Sequence, residues 1–256
     1  MAGDPLDLDD LNDPDDLDGL RRTVALGCRI LAATDTTKPL LGHISVRLDD
    51  GRVLVRCRGP REAGLLFTEA VDIRVVGLDD SCEVGDGYRL PNEYSIHAEI
   101  LRARPEVRAV VHAHPRQAVL ADLAGVELRP VLGALDIPAF LLADRGIPVY
   151  PHRGLVRTAV SGRALADTLG QAPAALLRGH GVVTAGADVA EAVAHVLALD
   201  ELAGVSLRLA GLGVRPDVVP ADDRADLPDL GAGFNVQALW RHHVRRLELQ
   251  GLADLD

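Results

Sequence analysis

Aromatic residues are nearly missing from this chain: three Phe, three Tyr and one Trp make up 3% of 256 residues. Any core must therefore be built from Leu, Val, Ala and Ile. Hydrophobic residues reach 48%, and the length suffices for one full core. Cysteine is scarce as well. Cys28, Cys57 and Cys82 are widely spaced, with no CxxC pair, which excludes a disulfide framework and reads as reduced thiols. None sits beside a candidate base, so a cysteine nucleophile is not expected. No apolar run reaches the roughly 18 residues that span a bilayer. The N-terminus lacks the basic and apolar regions of a signal peptide, so a cytoplasmic protein is expected. A basic face is also absent. The net charge is −11, and the eight Asp of residues 1–18 account for all but three of those charges. That stretch, MAGDPLDLDDLNDPDDLD, reads as a solvating tail with no fold of its own. Nucleic acid is excluded as a partner, and no internal repeat is present.

What is present reads as alternating helices and strands. Leu20, Val24, Cys28 and Leu31 have the spacing of an amphipathic helix. Gly42 to Leu48 and Val53 to Cys57 alternate like strands around the Asp49-Asp50-Gly51 turn, which makes a hairpin. Val71, Ile73 and Val75 mark a third strand. Asn92 is expected to cap a helix from Glu93 to Ala103, and Val107–Val111 is expected to form a strand. Pro115 opens a helix through Leu123. The segment 126–150 is irregular, with a short helix near Ala139–Ala143 and a strand at Ile147–Tyr150. A helix at Gly162–Leu169 precedes strands at Ala174–Leu177 and Val182–Thr184. Asp188 caps a long helix to about Leu212. Residues 213–232 form a strap, and a last helix, Val236–Leu249, carries Arg241, His242, His243, Arg245 and Arg246 as a solvated face or subunit contact. Hairpins interspersed with helices suggest α/β layers.

The chemistry concentrates in LPNEYSIHAEILRARPEVRAVVHAHPRQAVLADL, residues 90–123. Side chains two apart on a strand point the same way, so His112 and His114 can aim two imidazoles at one point. His180, in ALLRGHGVV, ends another apolar run. Three imidazoles and the carboxylate of Glu93 outline a catalytic metal site with one position left for substrate. One divalent ion per subunit is expected. Zn2+ suits the donors, and Mn2+, Co2+ or Fe2+ would also fit.

Four separated motifs now stand in order: GHISVR with His43; PNE, with Glu93 four residues before His97; VVHAH; and LRGHG. With them, residues 18–212 resemble the class II aldolase/adducin family. The resemblance implies an α/β fold, a three-layer α/β/α sandwich around a mostly antiparallel sheet, in homotetramers with the active site at a subunit interface. It implies His112, His114 and His180 as metal ligands and Glu93 as the acid/base carboxylate that also ligates the resting metal. Residues 1–17 would then be the acidic tail, and 213–256 a linker and C-terminal helix.

The sequence departs from the sugar-phosphate aldolases at the substrate pocket. Their first strand starts Gly-Asn, and here it is Gly42-His43. Where they cradle a phosphate with a Thr-Gly turn and a Ser-Ser pair, this chain has Arg58-Gly59 and Pro91-Asn92. No Tyr stands in 126–149 to match their catalytic tyrosine. His43, Arg58, Gly59 and Asn92 are therefore the expected substrate-binding residues. Arg58, Arg61, Arg153, Arg157 and Arg178 are available to hold carboxylates. CRGPREAGLLFT resembles the non-aldolase branch, which includes decarboxylases of hydroxylated aromatic or pyridine dicarboxylates such as 3,4-dihydroxyphthalate. The expected activity is that of a metal-dependent decarboxylase acting on such a small molecule. The alternatives are an aldolase or epimerase of sugar phosphates and a metal-free, adducin-like binding module. His97, one turn after Glu93, either orients it or packs at the helix–sheet contact. His152 is a candidate substrate contact, His195 is structural, and Asp136 and Tyr150 are candidate proton donors with no place assigned.

Overall fold

The computed structural model describes residues 16–79, 84–228, 230–231 and 233–255. Residues 1–15 of the acidic tail and Cys82 lie outside them. Helix α1 (Leu17–Ala33) begins where the Asp16 side chain accepts from the backbone N–H groups of Asp18 and Gly19, so the end of the acidic stretch is also a helix cap. Strands β1 (His43–Arg47), β2 (Arg52–Arg56) and β3 (Ile73–Gly77) follow as an antiparallel meander. Asp49 closes the expected turn by accepting from Gly51 and Arg52 N–H. The third strand starts at Ile73, later than its pattern suggested. Ala70–Asp72 is a 3-10 turn fixed by reciprocal Glu69 and Asp72 side-chain bonds, and Val71 is exposed.

The remaining strands and α-helices are α2 (Tyr94–Ala103), β4 (Ala109–Ala113), α3 (Arg116–Leu123), α4 (Ile137–Asp144), β5 (Val149–Tyr150), α5 (Ala159–Leu169), β6 (Ala174–Leu177), β7 (Gly181–Gly186), α6 (Val189–Gly211), the single turn α7 (Ala221–Arg224) and α8 (Leu239–Leu249), the last preceded by a π-helical segment, Gly233–Ala238. Asp188 caps α6 as expected, accepting from Glu191 N–H. Asp136, a candidate proton donor with no place assigned, stands at the start of α4. It is the cap of α4, accepting from Ala139 N–H.

Among the described residues, seven strands form one sheet in the order β3-β2-β1-β4-β7-β6-β5. Every pairing is antiparallel except β5 with β6. Period-two alternation divides its side chains between two apolar layers. Val53, Val55, Val110, Ala175, Leu177 and Val183 pack with Ile96, Ile100, Leu165 and Leu169 of α2 and α5. The intervening Leu54, Val111, Ala174, Leu176 and Val182 pack with Val24 and Ile30 of α1 and Val189, Val193 and Val196 of α6. Helices cover both faces, which makes the expected α/β/α sandwich.

Helix α8 joins the second layer through Trp240, Val244 and Leu247, as does Leu255. The buried Arg29 ties this end down by donating to Thr68 O and Leu252 O, both at 2.8 Å, and to Asp254 O. Arg241, His242, Arg245 and Arg246 remain on the exposed side. Among the described residues, no helix is long and apolar enough to cross a membrane.

Candidate active site

Register places the first pair of imidazoles. Strand β1 pairs with β4 so that His43 lies opposite His112 and Ser45 opposite Val110. These four side chains share the face that α2 covers, because Val110 belongs to that layer. His112 approaches the Val182 carbonyl through Nδ1 at 2.9 Å. A carbonyl only accepts, so Nδ1 carries the proton and Nε2 keeps its lone pair. His114 stands one residue beyond β4, its ring 4.7 Å from that of His112. His180 completes a triangle, 5.0 Å from each.

Two glycines bring His180 there. Gly179 has φ +60° in the β6–β7 turn, a left-handed conformation that suits glycine. A Cβ on Gly181 would sit 2.4 Å from Ala113 O, so only glycine lets β7 start this close to the end of β4. Asp122 holds the same turn: its Oδ2 accepts from Gly179 N–H at 2.6 Å, and its Oδ1 lies 3.5 Å from Arg178 Nε.

Glu93 arrives from α2. It occupies the helix-cap position expected for Asn92, but its side chain makes no cap bond and turns into the site. Val156 N–H donates to Oε1 at 2.8 Å. Oε2 lies 3.6 Å from His112 Nε2 and 3.4 Å from His180 Nε2. Burial pushes the Glu93 carboxyl up, but the hydrogen bonding around it, with the Val156 N–H among the donors, outweighs burial and holds the carboxyl well below its ordinary range.

This donor set fits a metal ion. One ring nitrogen from each of His112, His114 and His180 lies within 4.8 Å of the others. His112 Nε2 and both nitrogens of His180 are buried with no hydrogen-bond partner, an arrangement that native interiors rarely leave unanswered. Burial, then the neighbouring His112 and His180, bring His114 down to about 3, so this ring offers a lone pair without first releasing a proton.

The other expected residues divide. His43 and His97 are buried beside the cluster. His97 contacts neither Glu93 oxygen by hydrogen bond. It bonds His43, Nε2 to Nδ1 at 2.6 Å, and Ser45, Nδ1 to Oγ at 2.7 Å. Ser45 belongs to the GHISVR stretch, yet nothing in its type distinguishes it from a strand filler. Arg58 donates to Leu40 O at 3.3 Å. Gly59 lies against the Tyr88 ring and lines a separate cavity of about 430 Å³ with Arg56, Arg61 and Glu62. Asn92, His152 and Arg157 are exposed, and Arg153 lies beside the Gly179 turn. Tyr150 is buried, its hydroxyl 3.5 Å from Ser161 O. His195 bonds Ala185 O within the α6–β7 packing, a structural role. Burial pushes Cys28 and Cys57 up to about 12, far from nucleophilic use.

These buried imidazoles give a stability prediction. His97 is brought down to about 3 by burial and then by His112, and His43 lies well below 6.5 by burial and then by His97. The unfolded chain binds protons at these rings below about pH 6.5, while the folded chain does not. Stability of the metal-free protein is therefore complete above that pH and falls as the pH drops toward 3, by about 1.4 kcal/mol per pH unit for each such histidine. Thermal unfolding of the metal-free protein between pH 7 and pH 5 checks this, and an unmoved midpoint would contradict it.

Fold and donor set together describe an α/β protein with three histidines and one carboxylate gathered at the ends of its central strands. The chain belongs to the class II aldolase and adducin family: the family's Class II Aldolase and Adducin N-terminal domain matches residues 22–207. It is 47% identical to a 3,4-dihydroxyphthalate decarboxylase from Arthrobacter keyseri over 233 residues, covering 90% of this chain and 94% of that one. Another 3,4-dihydroxyphthalate decarboxylase, from Terrabacter sp. (strain DBF63), is 46% identical over 89% of this chain and 96% of its own. An L-fuculose 1-phosphate aldolase from Glaciozyma antarctica PI12 has the same fold, with a TM-score of 0.75 at 21% identity over 94% and 93% of the two chains. With these relatives, the chain is a carbon–carbon lyase.

Proposed function

We propose that this lyase is a metal-dependent decarboxylase of a hydroxylated aromatic dicarboxylate of the 3,4-dihydroxyphthalate type. The observation that carries the reading is the likeness to decarboxylases of that compound along 90% of the chain. His112, His114 and His180 would hold one divalent ion, Zn2+ before Mn2+, Co2+ or Fe2+. When bound, the ion supplies positive charge beside the substrate oxygens that gain electron density as the carbon–carbon bond breaks.

Glu93 moves the proton. Its Oε1 is fixed by Val156 N–H, so Oε2 is the oxygen free to work. As a resting carboxylate it takes the proton of the substrate hydroxyl next to the departing carboxylate. When CO2 leaves, the bonding electrons stay on the ring carbon, and Oε2 returns the proton to that carbon. Arg153 and Arg178, beside the His180 turn, and Arg58 are the guanidinium groups offered to the second carboxylate. Self-association is part of this reading. Leu135, Leu230 and Phe234 are exposed around an apolar groove of about 700 Å³.

Product analysis tests the reading. The zinc-loaded protein incubated with 3,4-dihydroxyphthalate is expected to give CO2 and a ring with one carboxylate fewer, and to leave L-fuculose 1-phosphate intact. Aldehyde from the sugar phosphate without CO2 from the aromatic acid would overturn it in favour of an aldolase.

A further inference from the structure

Two overlapping donor groups meet at His112. One is His112, His114 and His180; the other is His43, Glu93 and His112, whose ligand atoms also lie within 4.8 Å of one another. Geometry alone leaves His43 free to be a metal ligand. The hydrogen bonds behind it decide otherwise.

Ser45 is fully buried, and its hydroxyl makes one hydrogen bond, to His97 Nδ1. A hydroxyl proton needs an acceptor, and a buried donor without one is costly. Ser45 Oγ–H therefore donates to His97 Nδ1. A nitrogen that accepts carries no proton, so the ring's proton lies on Nε2, which donates to His43 Nδ1. His43 Nδ1 is then the accepting nitrogen, and the ring's proton sits on Nε2. The reverse direction would leave the Ser45 proton with no acceptor in a sealed layer.

We propose that Ser45 and His97 are positioning residues that lock His43 as an Nε2–H donor, which removes His43 from the metal-ligand set and makes it a hydrogen-bond donor to the substrate oxygen that gains charge. His43 faces the cluster side: its ring stands 5.1 Å from that of His112 and 4.8 Å from that of His97. An N–H placed there repels a cation and stabilises an oxyanion, and it needs no reorganisation during the reaction. The catalytic part of this proposal rests on the decarboxylase reading; the tautomer does not.

The test is a proton–nitrogen correlation spectrum of the zinc-loaded protein labelled with 15N-histidine, with His43 assigned by a His43→Gln variant. The expected spectrum has a bare Nδ1 and a protonated Nε2 on His43. A bare or zinc-bound Nε2 overturns the proposal without any need for turnover. Ser45→Ala is expected to lose the single tautomer and to lower kcat on 3,4-dihydroxyphthalate roughly tenfold, a part of the 100- to 1,000-fold carried by a whole oxyanion donor. KM and zinc content should hardly change. Ser45→Thr, which keeps the hydroxyl, is expected to restore both spectrum and rate. An Ala variant with full kcat and the wild-type tautomer would refute the role of Ser45. If the wild type fails to turn over this substrate, the decarboxylase reading falls, and the spectrum still decides the tautomer.

Discussion

Replacing Glu93 by Gln is expected to lower kcat roughly a thousandfold, the middle of the range for loss of a positioned acid–base group, while one zinc per chain is retained. The amide keeps the shape of the carboxylate and can still accept from Val156 N–H, which now fixes Oε1 at 2.8 Å. It cannot take a proton from a hydroxyl and hand it to carbon. The three imidazoles are left as they were, so metal analysis and rate should separate. Near-wild-type turnover in this variant would mean that another group moves the proton, and Glu93 would be reduced to a support for His112 and His180.

His114→Ala should instead lose metal and activity together. His114 supplies one of the three imidazoles grouped with His112 and His180, and it stands beyond the end of β4, where its removal disturbs no ladder hydrogen bond. Zinc affinity should fall by more than the roughly 10- to 100-fold that follows loss of a mere outer partner of a ligand. Elemental analysis after dialysis reads this directly. Full zinc occupancy would remove His114 from the ligand set and point to the alternative group containing His43.

Much of this geometry was legible from residue spacing. The alternation of His112 and His114 specified that the rings share one side, whereas the need for Gly179 and Gly181 around His180 shows only once β7 is seen to start against the end of β4. The four-residue step from Glu93 to His97 read as one helical face, but the two side chains serve different ends. Glu93 is at the helix cap, where the backbone has not yet settled into the helical turn, so it points toward the ends of the central strands β4 and β7 while His97 points down at β1. Which partner His97 finds depends on the β1–β4 register, a long-range pairing with no local signature. The Val156 amide is equally silent, since a backbone N–H carries no residue type. Asp136 read as a loose carboxylate because its cap bond is visible only once α4 is in place. Trp240 likewise falls among basic neighbours, and its burial depends on α8 docking against α1. Asp122 had no spacing that tied it to a turn 57 residues away.

The central claim is a carbon–carbon bond broken with the help of one metal ion held by His112, His114 and His180. The most direct measurement strips the protein with a chelator and follows CO2 release from 3,4-dihydroxyphthalate during titration with Zn2+. The rate should start near zero and rise in proportion to added metal, levelling at one equivalent per chain. CO2 release by the stripped protein at the same rate as the loaded one would contradict the account.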